Sequence, residues 1–312
     1  MTMARPLAAL TGATGFLGRH LVTALDRAGF RVRVLVSRPD AAFQDAPADL
    51  EMVVGRLEHP DALRRLAAGA EVLVHNAGLT RAVSRQAFFE ANATGARRAA
   101  EASDARFLLV SSISAREPQL SAYAASKAAG EAAVREVLSA DRLTIVRPCA
   151  IYGPGDLQTL DFLRAIAGMP FLPLPGSPTG RLTMIHGADA AAQIAALAGR
   201  TASGGTHTLA DGRPEGYPIR EIMETAAAAL NRRARLVRAP SAAMLAAGAV
   251  GGVAGRLTGR AAFFTLGKAR ELLHPDWSVA AGDLPPGVPA SRFDLAGGMA
   301  DSVASWKALG RL

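Results

Sequence analysis

Tyr123 and Lys127 stand four residues apart in Tyr123-Ala124-Ala125-Ser126-Lys127, downstream of a pair of hydroxyls at Ser111-Ser112. On a helix that spacing puts a phenol and an ammonium on one face. A phenol is a poor acid–base group at neutral pH, and a neighbouring ammonium favours its ionised form and draws its pKa toward the working range. Ser112 adds a hydroxyl that would hydrogen-bond the oxygen gaining or losing the proton. Such a set moves a proton on and off an alcohol or carbonyl oxygen, and the two electrons must then be carried by something else. The place for that carrier is Thr11-Gly12-Ala13-Thr14-Gly15-Phe16-Leu17-Gly18. Its spacing, Gly12-x-x-Gly15-x-x-Gly18, permits a tight strand-to-helix turn and lets a pyrophosphate reach the backbone where free N–H groups and the helix dipole favour anions. An apolar strand before the turn and an amphipathic helix after it supply the context the motif needs. Together the two motifs describe a nicotinamide enzyme.

Bringing them together requires a sheet whose strand ends meet. Short apolar runs alternate with helical patterns through the first half of the chain, the mark of βαβ units and a parallel sheet. Strands are expected near 7–10, 32–36, 52–54, 72–75, 107–110 and 143–146, and helices over 17–28, 60–68, 87–102 and 123–139. The fold class is therefore α/β, a Rossmann-type doubly wound parallel sheet with a smaller C-terminal substrate-binding lobe. Residues 1–150 are expected to be mainly the dinucleotide-binding part, and 151–312 mainly the lobe, partly interleaved with the sheet. After Arg147-Pro148 the prolines at 154, 170, 173, 175 and 178 argue against regular helix or central strand and for a substrate-facing stretch. Helical patterns resume at 189–198, 219–229, 241–257 and 296–309.

A chain of 312 residues, half of them hydrophobic, can bury a sizeable core and is not expected to be disordered. Its net charge of +8 invites a nucleic-acid reading, but the only lysines are Lys127, Lys268 and Lys307, and the arginines are scattered rather than blocked. No nucleic-acid partner is expected. The single cysteine, Cys149, excludes an intramolecular disulfide and reads as a small apolar wall residue with no His partner nearby. It also points to a reducing compartment. With the first strand reaching the glycine turn by residue 12, leaving no room for a cleavable signal, the expected location is cytoplasmic. The histidines show no metal-ligand spacing, so no metal is expected. The longest uncharged run, 239–255, is short and weakly apolar for a membrane span; a packed helix is the favoured reading, with a surface-lying membrane contact left open. Trp277 reads either as core or as a lid.

At this point the chain resembles the extended short-chain dehydrogenase/reductase family, which includes nucleotide-sugar epimerases and dehydratases. The likeness rests on the glycine turn, His75-Asn76-Ala77-Gly78, Asn92-Ala93-Thr94-Gly95, Ser111-Ser112, Tyr123 with Lys127, Arg147-Pro148 through Pro154, and Ile185-His186 through Asp189. It implies that Tyr123 is the acid–base group, that Lys127 holds the nicotinamide ribose and tunes Tyr123, and that Ser112 polarises the substrate oxygen. It also implies cofactor contacts at Gly12, Thr14, Gly15, Phe16, Leu17, Gly18, His75, Asn76, Ala77, Gly78, Asn92 and Pro148, besides Tyr123 and Lys127. Asn92 is also explained as a group that hydrogen-bonds backbone, and Asp189 as the N-cap of the helix that follows it.

Departures from the family pattern bear on the ligands. Members that prefer NAD usually end the second strand with an acidic residue, where this chain has Val36-Ser37-Arg38; Arg38 suits a 2′-phosphate, which favours NADP, with NAD as the alternative. The aspartate expected after the third strand is replaced by Arg56. Arg181 stands one residue out of register from the arginine that epimerases use for sugar-nucleotide phosphates. Arg81, Arg85 and Arg164 are candidates for an anionic substrate, with surface solvation equally in view. The reading is an NAD(P)-dependent oxidoreductase acting on a small-molecule carbonyl or alcohol. One alternative is a nucleotide-sugar epimerase or dehydratase with retained NAD; another is a non-catalytic nucleotide-binding scaffold. Alanine-rich faces on 87–102 and 123–139 permit a homodimer.

Overall fold

The computed structural model describes residues 5–39, 43, 46–174, 180–200, 204–233 and 235–312. Its first half runs β1 (Leu7–Thr11), α1 (Phe16–Arg27), β2 (Arg31–Val36), β3 (Glu51–Val54), α2 (Pro60–Ala67), β4 (Val72–His75), α3 (Arg85–Phe89), α4 (Gly95–Glu101), β5 (Arg106–Val110), α5 (Ala122–Val137) and β6 (Leu143–Pro148). The second half runs β7 (Ala150–Tyr152), α6 (Leu157–Gly168), β8 (Leu172–Leu174), β9 (Arg181–Leu182), β10 (Met184–His186), α7 (Gly187–Ala198), β11 (Thr206–Leu209), β12 (Tyr217–Pro218) and α8 (Ile219–Ala229). It closes with β13 (Leu236–Arg238), α9 (Ser241–Thr258), α10 (Leu266–Leu273), β14 (Asp276–Trp277) and α11 (Leu295–Ala308).

Every residue of β1 and β4 is buried, which is why these strands read as unbroken apolar runs rather than alternating ones. Strands buried on both faces belong to the centre of a covered parallel sheet. The sheet has seven parallel strands in the order β11-β6-β5-β4-β1-β2-β3, a Rossmann-type α/β arrangement. Residues Leu21, Leu25, Ile194 and Ala198 of α1 and α7 pack on one face; Leu63 and Leu66 of α2, Ala99 of α4 and Val134 of α5 pack on the other. The chain reverses direction across the sheet between β1 and β4, where Thr11 pairs with His75. Ligands of doubly wound sheets bind in the crevice outside such a switch point. A third core joins Leu160 and Leu163 of α6, Met223 of α8, and Met299 and Trp306 of α11.

Four elements differ from the sequence expectation. The prolines after residue 150 flank α6 instead of interrupting it, because Asp156 accepts hydrogen bonds from the Gln158 and Thr159 amides and caps the helix between Pro154 and Pro170. Pro173 lies within β8, whose only partner in its two-stranded sheet is β13, so a missing N–H costs little there. Pro175 and Pro178 fall outside the described residues. The helix expected over 87–102 is broken by a π-helical turn at Glu90–Thr94. The run at 239–255 forms α9 as expected, but among its residues only Gly248 and Gly255 are buried, so it is a surface helix rather than a packed one. No helix among the described residues is long and apolar enough to cross a membrane.

Beneath the strand ends lies one buried charge cluster. Glu131, one turn beyond Lys127 on α5, accepts two hydrogen bonds from Arg147 on β6 at 2.8 and 2.6 Å and one from Ser111 Oγ at 2.6 Å. Burial works to raise its pKa, and these hydrogen bonds with the charges of Arg147 and Arg135 outweigh it, holding the carboxyl below its ordinary range. Removing one partner of a buried pair strands the other charge. Glu131→Gln should therefore lower the unfolding free energy in urea melts by about 3 kcal/mol, and adding Arg147→Met should recover part of that loss. A double variant no more stable than Glu131→Gln would show that Arg147 does not carry the cost.

Candidate active site

Three strand ends build the site. β1 delivers the glycine turn, β4 delivers 75–78, and β5 delivers Ser111 and Ser112. The first two are stitched together by side chains: Thr11 Oγ1 contacts His75 Nδ1 at 3.0 Å and accepts the Ala77 amide at 3.1 Å, while Asn76 Nδ2 donates to the Gly12 carbonyl at 3.2 Å.

Within the turn the glycines have separate tasks. Gly12 sits at φ +70°, and a Cβ there would lie 2.6 Å from the Ala77 nitrogen. A Cβ on Gly18 would land on the Gly12 carbonyl oxygen. Both are glycine because backbone passes too close for anything else. Gly15 is exposed, and a Cβ on it would meet only the Gly12 carbonyl oxygen, at 3.4 Å. Gly15 is also the N-cap of α1, and no side chain caps that helix, whereas Ser121 caps α5 and Thr265 caps α10. An uncapped helix start beside an open glycine leaves backbone donors turned outward, which fits the pyrophosphate of a dinucleotide. Thr14 is exposed on the same turn. Leu17, by contrast, is buried in the core under the sheet, and Phe16 packs against Gly187 and edge-on to His20 at 5.3 Å, so neither side chain belongs to the cradle's open face.

Asn92 rises from the π-helical turn. Its Oδ1 accepts the Leu79 amide at 2.7 Å, and its Nδ2 donates to the Leu79 carbonyl at 3.0 Å and to Ser126 Oγ at 2.9 Å. The side chain thus clamps the loop after β4 onto α5. Gly78 makes room for the clamp, since a Cβ there would sit 2.7 Å from Asn92 Oδ1 and 3.7 Å from Lys127 Nζ. Pro148 is buried at the end of β6, level with Leu209 of β11. Arg38 stands exposed two residues past β2.

Ser112, Tyr123 and Lys127 come together at the end of β5. Tyr123 lies in the first turn of α5, partly buried with its ring edge-on to Phe88 at 6.1 Å, and its hydroxyl is close enough to Ser112 for that serine to lower its pKa. Ser112 Oγ also accepts the Ser114 amide at 3.2 Å. Lys127 is buried, and its Nζ donates to the Val110 carbonyl at 2.8 Å. Burial pushes Tyr123 up to about 12, opposed by Ser112 and assisted by the charge of Glu271. Burial draws Lys127 down to about 8, opposed by the charge of Glu131. At neutral pH the phenol is protonated and the lysine is mostly charged. His75 is held neutral, its pKa drawn to about 3 by burial and by the charge of Lys127.

Other residues singled out by sequence take structural places. Asp189 is not the N-cap of α7; His186 is, accepting the Ala188 amide at 3.3 Å. Buried Asp189 instead accepts the Arg292 and Phe293 amides, both at 3.0 Å, pinning the approach to α11. Cys149 is buried among Ile113, Ala210, Trp277 and Val279, with its thiol pKa pushed up by burial, which suits a wall residue. Trp277 is buried, its Nε1 donating to the Glu271 carbonyl at 2.9 Å, so it is core rather than a lid. Arg81 pairs with Asp161 at 3.2 Å, Arg85 lies over the Phe89 ring, Arg164 donates to the Arg311 carbonyl, and Arg181 donates to the Gly216 carbonyl. Sequence reasoning missed Glu131, although its four-residue spacing from Lys127 signalled it. It also missed Glu271, which accepts a hydrogen bond from the Ser121 hydroxyl.

Residues 8–209 match the model of the NAD dependent epimerase/dehydratase family. The chain is 49% identical to "Ceramide reductase" of Caulobacter vibrioides over 100% of its own length and 98% of that protein. Its fold is shared by the crystal structure of gox2253, at TM-score 0.75 and 20% identity with 99% of each chain covered. It is shared too by DesIV, a dTDP-glucose 4,6-dehydratase from Streptomyces venezuelae with NAD and TYD bound, at TM-score 0.72 and 20% identity with 97% of each chain covered.

The cradle geometry can be tested without a substrate. Gly18→Ala forces a methyl onto the Gly12 carbonyl oxygen and should cost about 1–3 kcal/mol of stability, as overpacking does. It should also weaken the upward shift of the melting temperature that a nicotinamide dinucleotide produces. An alanine variant that melts and responds to cofactor like the parent would remove the close-packing argument.

Proposed function

The chain belongs to the NAD dependent epimerase/dehydratase family and is an NAD-dependent enzyme, and from that premise we propose that it reduces a ketone carried by a ceramide-class lipid, an N-acylated long-chain amino alcohol. The observation that carries this reading is the 49% identity to a ceramide reductase along the whole chain. The fate of the arginines supports it. Arg81, Arg85, Arg164 and Arg181 are each engaged within the protein, and Leu79 and Val83, on the loop after β4, are exposed apolar residues. An apolar substrate suits such a rim better than a sugar diphosphate does.

In this reading the bound nicotinamide supplies the hydride. Tyr123, kept protonated by its burial, donates its phenolic proton to the carbonyl oxygen. Ser112 hydrogen-bonds the same oxygen as negative charge grows on it. Lys127, on the same helix face, stabilises the phenolate left behind, and Glu131 one turn further keeps the lysine charged against the cost of burial. Gly15 and the uncapped start of α1 hold the pyrophosphate, and Gly12, Thr14, Gly18, Asn76, Ala77 and Gly78 shape the cradle. Arg38, exposed past β2, provides a cation for a 2′-phosphate, so the preferred cofactor is NADP.

With NADPH and a keto-ceramide presented in detergent micelles, the protein should consume cofactor in step with product. Tyr123→Phe should lower kcat by about 10²–10⁴ while leaving the cofactor's effect on melting intact. For the wild type, kcat/KM should fall as pH rises through about 8, where Lys127 loses its proton. Net-neutral turnover of a sugar nucleotide on retained NAD, with no lipid reduction, would replace this reading by the epimerase one.

Cofactor preference is a separate expectation. At about 100 times its Kd, a selectively bound ligand adds about 2.7 kcal/mol to stability. NADPH should raise the melting temperature more than NADH at equal concentration, and Arg38→Asp should reverse the order. Equal shifts for the two cofactors would remove the role assigned to Arg38.

A further inference from the structure

Helix α9 is turned inside out relative to an ordinary packed helix. Gly248, Gly251 and Gly255 face the protein: a Cβ on Gly248 would lie 2.7 Å from the Thr265 carbonyl oxygen, and one on Gly255 would lie 2.8 Å from that of Arg260. The helix therefore rests on the backbone of residues 260–265 through a bare glycine stripe. At 100° per residue, Ala243, Ala246, Val250, Val253 and Leu257 fall on the side away from that stripe. Val250 is 69%, Val253 48% and Leu257 83% exposed, and no charged residue interrupts them. Phe263, in the segment beneath the glycine stripe, is also exposed but lies outside this face.

The stretch of chain that carries this face has charge of one sign. Residues 225–270 contain no Asp or Glu; they contain Arg232, Arg233, Arg235 and Arg238 before the helix, and Arg256, Arg260, Lys268 and Arg270 at and beyond its end. All of these but Arg232 are exposed. An uncharged apolar helix face flanked along the chain by an excess of exposed cations, of which Lys268 pairs with Glu271 at 3.7 Å, suits a helix lying in the interface of an anionic bilayer. The face is built from Ala, Val and Leu without the Trp or Tyr anchors on which protein interfaces concentrate their binding, and a bilayer offers no shape for such anchors to match.

The segment on which α9 rests, rather than its exposed face, adjoins the site. Phe263 lies under the Arg81 guanidinium at 4.9 Å, on the loop that carries exposed Leu79 and Val83. A Cβ on Gly267 would sit 2.8 Å from Ser121 Cβ, the cap of the helix that presents Tyr123.

We infer that α9 is a docking surface for anionic phospholipid, seating the protein on a bilayer through the face opposite its glycine stripe. This goes beyond the reductase reading and does not depend on it, because binding to a vesicle needs neither cofactor nor substrate.

The test is co-sedimentation of the full chain with vesicles of phosphatidylcholine alone or mixed equally with phosphatidylglycerol. Binding should require the anionic lipid and should weaken in about 1 M salt, where the screening length falls to about 3 Å. The triple variant Val250→Ser, Val253→Ser, Leu257→Ser should bind roughly tenfold more weakly, through loss of buried apolar surface. Its melting temperature and its stabilisation by NADPH should match the parent, which separates loss of docking from loss of fold. Three results would overturn the inference: no binding to anionic vesicles, a triple variant that binds as the parent does, or light scattering that shows a dimer dissolved by the triple variant. Vesicle binding without ketone reduction would retain this inference while sinking the proposed function, and reduction without vesicle binding would do the reverse.

Discussion

Glu131 is the buried charge on which the arrangement above it depends. A lysine taken out of water loses its charge readily, and among the described residues Lys127 donates to the Val110 carbonyl alone. The carboxylate one helical turn away keeps it an ammonium. Glu131 itself is held below its ordinary pKa range against burial by Arg147, which reaches across from β6, by Ser111 after β5 and by the charge of Arg135. One carboxylate thus connects the helix that carries Tyr123, the strand that ends at Ser112 and the strand that ends at Pro148. The placement of these elements and the charge of Lys127 share a support beneath the crevice.

A second constraint lies at the switch point. β1 and β4 are neighbours, so the turn after one and the loop after the other share a wall, and Thr11 and Asn76 fill that wall with hydrogen bonds. Backbone at this junction is so close that Gly12 and Gly18 cannot be anything larger. The opening left for an anion is the remaining glycine and the uncapped helix start behind it. Crowding on one side of the turn and openness on the other are two aspects of one tight bend.

Six strands and most helices were legible in the sequence because fully buried parallel strands are apolar runs and amphipathic helices keep their period. The Tyr–Lys spacing and the glycine turn were legible for the same reason: each is local. What escaped was set by partners far along the chain or by weak pattern. β11, Thr-His-Thr-Leu at the sheet's edge, has polar residues at its first three positions and resembles loop. α6 was hidden by the prolines that bound it. The π-helical turn at 90–94 shifts a hydrogen-bond register without changing the residue pattern, yet it is what delivers Asn92 to Leu79. Asp189 looked like a cap because its true partners lie more than a hundred residues away.

The placement of β11 also bears on how such a chain can change over generations. The strand pairs along β6 only after the backbone has travelled out through α6 and the small strands and returned through α7. Ending the chain near residue 150 would leave β6 as an open border with unpaired amides and carbonyls, ready to recruit a foreign strand. The sheet half that carries the glycine turn is consequently not a detachable module to be shuffled onto new partners. New specificities on this scaffold must arise in place, by remodelling the excursion between two strands that stay paired, which makes the sheet the heritable unit and the excursion its variable theme.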